Sequence, residues 1–162
     1  MPPWPSALPV LTIQMHLYRH LYFSSSVPVP PVPVLEDGPL VDAEVDGQQV
    51  TLNLWDTTTY GSGGNERLRP LYYPNADVIV LCFAIDSPES LDRVEEKWFP
   101  EAAHFAARVP IVLVGCKSDL RGTSTQSVSR ETGMAVAQKI DAVKYLECSA
   151  KSGEGHSRKR KK

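Results

Sequence analysis

The sequence has no run of about 18 consecutive apolar residues, the length a helix needs to cross a bilayer, so no membrane-spanning helix is expected. Cysteine is scarce and odd in number. Cys82, Cys116 and Cys148 lie far apart, with no CxxC pair and no His/Cys ligand spacing, which argues against a structural zinc site and against a disulfide framework. No Gly-Lys dipeptide occurs anywhere. That excludes the G-x-x-x-x-G-K-[ST] loop, whose glycine N–H groups and lysine cradle a nucleotide's phosphates. Residues 1–34 contain no Asp, no Glu and no Gly, yet hold eight of the 14 prolines. Neither charge sign dominates overall, with 17 basic and 19 acidic residues giving a net charge of −2. The five basic residues Arg158 to Lys162 hide an asymmetry, because residues 1–157 carry 12 basic and 19 acidic side chains, a charge of −7. An acidic body without a basic, aromatic-interleaved face is not that of a protein reading a specific nucleic acid.

The remainder is 42% apolar and 22% charged, as in one ordinary globular domain. Residues 1–34 read as a proline-rich segment of different character. Val27 to Val34 alternates proline with valine and reads as an extended, polyproline-like connector. Leu8 to Phe23 is apolar enough for one strand or a short helix. A signal peptide is disfavoured, because a basic start is missing and Arg19 and His20 interrupt the apolar run. A mitochondrial presequence shares the lack of acids but needs more than one arginine.

From Leu40 the pattern becomes regular. Leu40–Val45 and Val50–Trp55 flank Asp46-Gly47, a hairpin signal. Asp77–Ile85, Pro110–Cys116 and Val143–Cys148 are nearly continuous apolar runs, expected of strands buried on both faces. Between them, Ser87-Pro88-Glu89-Ser90 opens a helix running toward Phe105. Ser129 to Ile140 reads as a second helix, with Met134, Val136, Ala137 and Ile140 as its apolar positions. Strands alternating with helices predict an α/β fold, a mostly parallel sheet with helices on both faces and one antiparallel hairpin. The expected organisation is a proline-rich segment 1–34, a domain over 35–152 and a disordered basic tail over 153–162. Ligands of such sheets bind at the carboxyl ends of the strands.

Three polar clusters stand at those ends: Asp56-Thr57, Cys116-Lys117-Ser118-Asp119 and Ser149-Ala150-Lys151. Each alone is an ordinary turn; their joint placement is informative. Asp56 supplies a hard oxygen ligand suited to a metal. Asp119 can accept adjacent N–H groups from a planar ring, and Lys117 can lay its methylene stem over that ring. The Ser149-Ala150-Lys151 turn offers backbone N–H groups to a carbonyl. Together these features suit guanine.

Residues 40–151 resemble a small GTPase of the Ras superfamily, specifically of the Rho family. The resemblance rests on Val45-Asp46-Gly47, Leu54-Trp55-Asp56-Thr57, Arg67-Leu68-Arg69-Pro70-Leu71-Tyr72-Tyr73-Pro74 and Asp86-Ser87-Pro88-Glu89-Ser90-Leu91. It continues in Glu96-Lys97-Trp98-Phe99-Pro100-Glu101, Val114-Gly115-Cys116-Lys117-Ser118-Asp119-Leu120-Arg121 and Tyr145-Leu146-Glu147-Cys148-Ser149-Ala150-Lys151. It implies a Ras-like G domain, GTP/GDP and Mg2+ as ligands, GTP hydrolysis as the family's activity, and Rho-type regulators or effectors as partners. It also implies a guanine site on Cys116, Lys117, Asp119, Ser149, Ala150 and Lys151, with Asp56 as the metal contact and no catalytic residue carried over.

The chain departs from this family in several places. The phosphate loop is missing, and residues 1–34 are expected to stand in place of the family's first strand, phosphate loop and first helix. That first strand belongs inside the sheet, so the fold is expected to be marginal unless Leu8–Leu17 supplies a substitute. Val32-Pro33-Val34-Leu35-Glu36-Asp37 resembles the first switch without its metal-binding threonine. Where the second switch has Asp-Thr-Ala-Gly-Gln, this chain has Asp56-Thr57-Thr58-Thr59-Tyr60. Cys116 occupies the usual place of asparagine in the guanine motif. The Rho insert after Asp-Leu-Arg is reduced to Gly122–Val128, the last helix gives way to Gly153-Glu154-Gly155-His156, and no C-terminal cysteine offers a prenyl anchor. These departures imply weak or absent nucleotide binding and hydrolysis. The alternatives are a nucleotide-free interaction module using Arg67–Pro74 and Trp98–Pro100, or a truncated product without function. The expected location is cytoplasmic, with transient contact to anionic membrane through the basic tail.

Overall fold

The structure, a computed structural model, describes residues 10–16, 40–45, 47–56, 69–123 and 126–155. Six strands form one sheet: β1 (Val10–His16), β2 (Leu40–Val45), β3 (Gln48–Asp56), β4 (Val78–Ala84), β5 (Ile111–Cys116) and β6 (Lys144–Glu147). Their spatial order is β2-β3-β1-β4-β5-β6. Every neighbouring pair is parallel except β2 with β3. The expected α/β sheet with one antiparallel hairpin is what forms. Val45 pairs with Gln48 across the turn, and Gly47 takes φ 81°, the left-handed conformation that such a two-residue turn requires.

A strand stands in the place of the family's first strand, the substitute that Leu8–Leu17 was open to supplying. β1 lies between β3 and β4, with Val10 opposite Thr51, Met15 opposite Asp56 and Ile13 opposite Val78. Of the two forms open to Leu8–Phe23, a strand is the one taken over Val10–His16. The sequence allows it: Val10, Thr12 and Ile13 are β-branched, and Pro9 precedes the strand while none falls inside it, as a central position demands. The two rows of backbone groups on β3 and β4 therefore have partners. The proline-rich run 27–34, the switch residues Thr57–Tyr60 and the basic residues 158–162 lie outside the described residues.

β4 leads into α1 (Pro88–Arg93), a π turn over Val94–Trp98, and α2 (Phe99–Phe105), all one continuous rod. The wide turn immediately precedes Pro100, whose missing N–H removes a helical hydrogen bond. Ser87 occupies the N-cap position in extended conformation but makes no side-chain cap bond. Buried Ser90 ties the turn instead, its Oγ accepting from Ala84 N–H at 2.9 Å and donating to the Ser87 carbonyl at 2.6 Å. α3 (Arg130–Lys139) is capped by Ser129, whose Oγ accepts from Thr132 N–H at 3.1 Å. Val136, Ala137 and Ile140 are buried as expected, but Met134 is exposed. Gly133 takes the inward position three residues before Val136. A Cβ on Gly133 would collide with the Tyr145 hydroxyl, so this glycine lets α3 approach β6.

The core gathers Tyr73, Ile79, Leu81, Phe83, Ile85, Leu91, Val94, Leu113 and Ile140 between the helices and one face of β4 and β5. Alternation along β5, with Ile111, Leu113 and Gly115 buried and their neighbours partly exposed, shows that this face is the covered one. No helix among the described residues is long and apolar enough to cross a membrane.

Candidate functional site

The loops after β5 and β6 meet at the carboxyl edge of the sheet. β5 ends at Cys116, and Lys117 turns the chain with φ 60° and ψ 43°, a left-handed conformation unusual for a residue with a Cβ. A short 3-10 turn, Ser118–Leu120, comes next and carries Asp119. Two backbone bonds join this loop to the end of β6: Cys148 N–H donates to the Gly115 carbonyl at 2.9 Å and Ser118 N–H donates to the Cys148 carbonyl at 3.0 Å. After β6 the chain turns tightly, with Ser149 N–H donating to the Glu154 carbonyl at 3.0 Å and Gly153 N–H to the Ser149 carbonyl at 2.9 Å.

Ser149 is fully buried, and its hydroxyl links the two loops. It donates to Asp119 Oδ1 at 2.5 Å and accepts from Ser152 N–H at 3.1 Å. Asp119 is held by one carboxylate oxygen at the surface of the loop. Ser118 Oγ adds a bond to Glu154 Oε2 at 3.0 Å. Ala150 and Lys151 are exposed in the turn. Lys117 Nζ reaches back to Asp86 Oδ2 at 3.3 Å, and the pair is largely screened from solvent. Asp86 Oδ1 is buried and has no hydrogen-bond partner among the described residues, an acceptor beside Lys117.

Cys116, Lys117, Asp119, Ser149, Ala150 and Lys151 are thus brought to one edge. Asp56 lies at the carboxyl end of β3 opposite Met15, near that edge in the topology; its side chain is outside the described residues. Among the described residues no three His, Cys, Asp or Glu side chains gather as a metal site. The donor set fits the base of a guanine nucleotide, with a carboxylate for N–H donors and a small turn for a carbonyl. A phosphate cradle or magnesium cage is not found among these residues.

Sequence reasoning missed two parts of the site. Asp86 is one, seen there only as a helix-entry motif residue. Glu147 is the other, and an acidic residue within the strand-forming run Val143–Cys148 was the available signal. Its carboxylate pairs with Arg121 at 2.6 Å and Arg130 at 3.3 Å, and accepts from Tyr145 Oη at 2.6 Å. Arg121 also donates to the Val128 carbonyl at 2.8 Å, bracing the loop beyond Asp119. Burial, and then the bond to Glu147, push the Tyr145 hydroxyl well above the usual tyrosine range.

The Ras family matches residues 33–159. The chain is 52% identical over 134 residues to GTP-binding protein rho1 of Schizosaccharomyces pombe, covering 76% of this chain and 65% of that protein. It is 49% identical over 134 residues to GTP-binding protein rho5 of the same yeast, covering 76% and 66%. With GTP-binding protein RHO1 of Candida albicans it shares 51% identity over 134 residues, covering 76% and 67%. The chain therefore belongs to the Ras superfamily of small GTPases, in its Rho family. It spans about two thirds of the length of these relatives.

Proposed function

We propose that this chain reads the guanine base but binds guanine nucleotides weakly and does not hydrolyse GTP. The observation that carries the reading is the Ser149–Asp119 bond of 2.5 Å, which joins the two loops and orients the carboxylate. Asp119 takes the N–H donors of guanine. Lys117 lays its stem against the ring, Ala150 and Lys151 offer backbone N–H groups to the base oxygen, and Ser149 positions Asp119. Cys116 anchors the first loop where the family has asparagine.

Support for weak affinity comes from the segment after β1. The sequence leaving His16 is Leu17-Tyr18-Arg19-His20-Leu21, without glycine or lysine, at the place where a phosphate loop would start. Asp56 is the acidic residue that the resemblance assigns to a metal, and one carboxylate does not hold magnesium firmly. Among the described residues no set of groups offers catalysis by positioning and charge neutralisation.

As a Rho-family member, the chain acts in small-GTPase signalling by descent, with Rho-type regulators or effectors as its partners. Exposed Leu71, 68% accessible on the turn Arg69–Asn75, favours a contact role for that segment, and would serve a nucleotide-free interaction module equally well. The basic residues 158–162 would add transient attraction to anionic lipid. Calorimetric titration with GDP and ADP, together with an assay of phosphate release from GTP with and without magnesium, tests the reading. GDP should bind better than ADP, with no phosphate release above the protein-free control. Equal affinity for the two diphosphates would refute base reading, and magnesium-dependent turnover would refute the absence of catalysis.

A further inference from the structure

Cys116 belongs to the first of the two loops proposed to read the base, and its arrangement with Cys82 and Cys148 carries a separate consequence. β5 and β6 run parallel with Gly115 opposite Glu147, and one step further on Cys116 stands across from Cys148. The bonds from Cys148 N–H to Gly115 and from Ser118 N–H to Cys148 clamp that position from both sides. Neighbouring strands lie about 4.8 Å apart, inside the roughly 4.4–6.8 Å Cα separation that disulfides span. Side chains at paired positions share a face, so Cys116 and Cys148 stand side by side on one face of the sheet. Cys82, on β4, pairs in register with Val114, one two-residue step away from Cys116. The left-handed turn at Lys117 ends the regular ladder and gives the pair room to adjust.

We propose that Cys116 and Cys148 form a reversible intramolecular disulfide that staples the Lys117–Asp119 loop to the Ser149–Lys151 loop. Hydrogen peroxide is the simplest oxidant for the step. The two sulfurs lose two electrons and join, the O–O bond breaks, and both thiol protons leave with the oxygens as two waters. A dithiol reductant returns two electrons and two protons and reopens the bridge. The neighbouring Cys148 lowers the Cys116 pKa, but Cys82 and burial outweigh it and push the thiol up to about 12. Contact with Cys116 and burial raise Cys148 as well. The thiolate is the reacting form, so closure is slow at neutral pH and needs sustained oxidant. The bridge does not depend on whether the loops read a base.

The experiment oxidises the full chain with hydrogen peroxide in mildly alkaline buffer, alkylates the remaining thiols, and maps the digested peptides by mass spectrometry. A Cys116–Cys148 cross-linked peptide pair, two hydrogens lighter than its reduced parts, is expected, with Cys82 alkylated. Dithiothreitol should restore three alkylatable thiols. Cys116→Ser should lose the bridge and Cys82→Ser should keep it; the wild-type map decides the matter if either variant fails to fold. A bridge through Cys82, sulfinic or sulfonic acid on separate cysteines, or three intact thiols after prolonged exposure would each overturn the proposal.

Discussion

The two halves of the sheet are built differently. β4, β5 and β6 carry a packed layer of helices on one face, and this half of the molecule, strands, helices and turns together, holds every buried apolar residue described except Val50. In β2 and β3, Val50 alone is buried among the described residues, while Leu40 and Val41 are exposed at 67% and 43%. The half that holds the core also holds the ordered loops with Lys117, Asp119 and Ser149. The site proposed to read the base needs side chains fixed by packing and by second hydrogen bonds, and among the described residues the packed half provides them. In the other half, β1 contributes backbone pairing with β3 and β4.

Matched truncations in the two halves should give the largest contrast. Phe83 is fully buried and stacks on Tyr145 with ring centres 6.4 Å apart. Phe83→Ala should cost about 3–5 kcal/mol, a large fraction of a domain's usual stability. Leu40→Ala, on the exposed edge, should stay within about 0.5 kcal/mol. Chemical denaturation of both variants checks this, and similar losses at the two positions would remove the distinction between the halves.

Gly133→Ala should be the next largest effect. Its Cβ would overlap the Tyr145 hydroxyl, so the ring must move and strain the Tyr145–Glu147 bond of 2.6 Å. Overpacking of this kind costs about 1–3 kcal/mol, read as a lower denaturation midpoint. The same contact has a pH signature. Tyr145 has a raised pKa in the folded state, so its contribution is present below the unfolded tyrosine pKa of about 10 and lost as pH rises through the folded value. Tyr145→Phe should flatten the decline in stability above about pH 10.

Much of the packed half was legible in the sequence, because periodicity, caps and strand-end motifs there all agree. The runs at Asp77–Ile85, Pro110–Cys116 and Val143–Cys148 became β4, β5 and β6 with ends trimmed by a residue, but β6, an edge strand carrying Lys144 and Glu147, alternates exposed and half-buried residues instead of being buried on both faces. Met134 misled, since a helical apolar pattern does not say which of two adjacent stripes faces inward; the small Gly133 beside Tyr145 decided it. β1 was undecided between strand and helix because seven residues with mixed polarity have no clear period, and pairing with β3 and β4 supplies what local sequence cannot. Lys117 and Asp119 could be picked out by motif, whereas the Asp86 and Glu147 partners arise from contacts distant in sequence.

Ser149→Ala sharpens the comparison within the site. It removes the bond to Asp119 and the bond from Ser152 N–H while leaving the loops' backbone links in place. Stability should fall by about 1–3 kcal/mol, and preference for GDP over ADP should weaken. The smallest stability effect is expected from Ser129→Ala, which removes the cap of α3 and should cost about 1 kcal/mol, seen as a modest drop in thermal midpoint.

The most direct test of a site that reads the base and not the phosphates is a titration of the full chain with guanosine, GDP and GTP, each with and without magnesium. Base reading alone predicts that all three bind alike, near the millimolar range where binding free energy is about −4 kcal/mol, with no effect of magnesium. GDP or GTP binding several orders of magnitude tighter than guanosine, with magnesium strengthening the triphosphate, would contradict it.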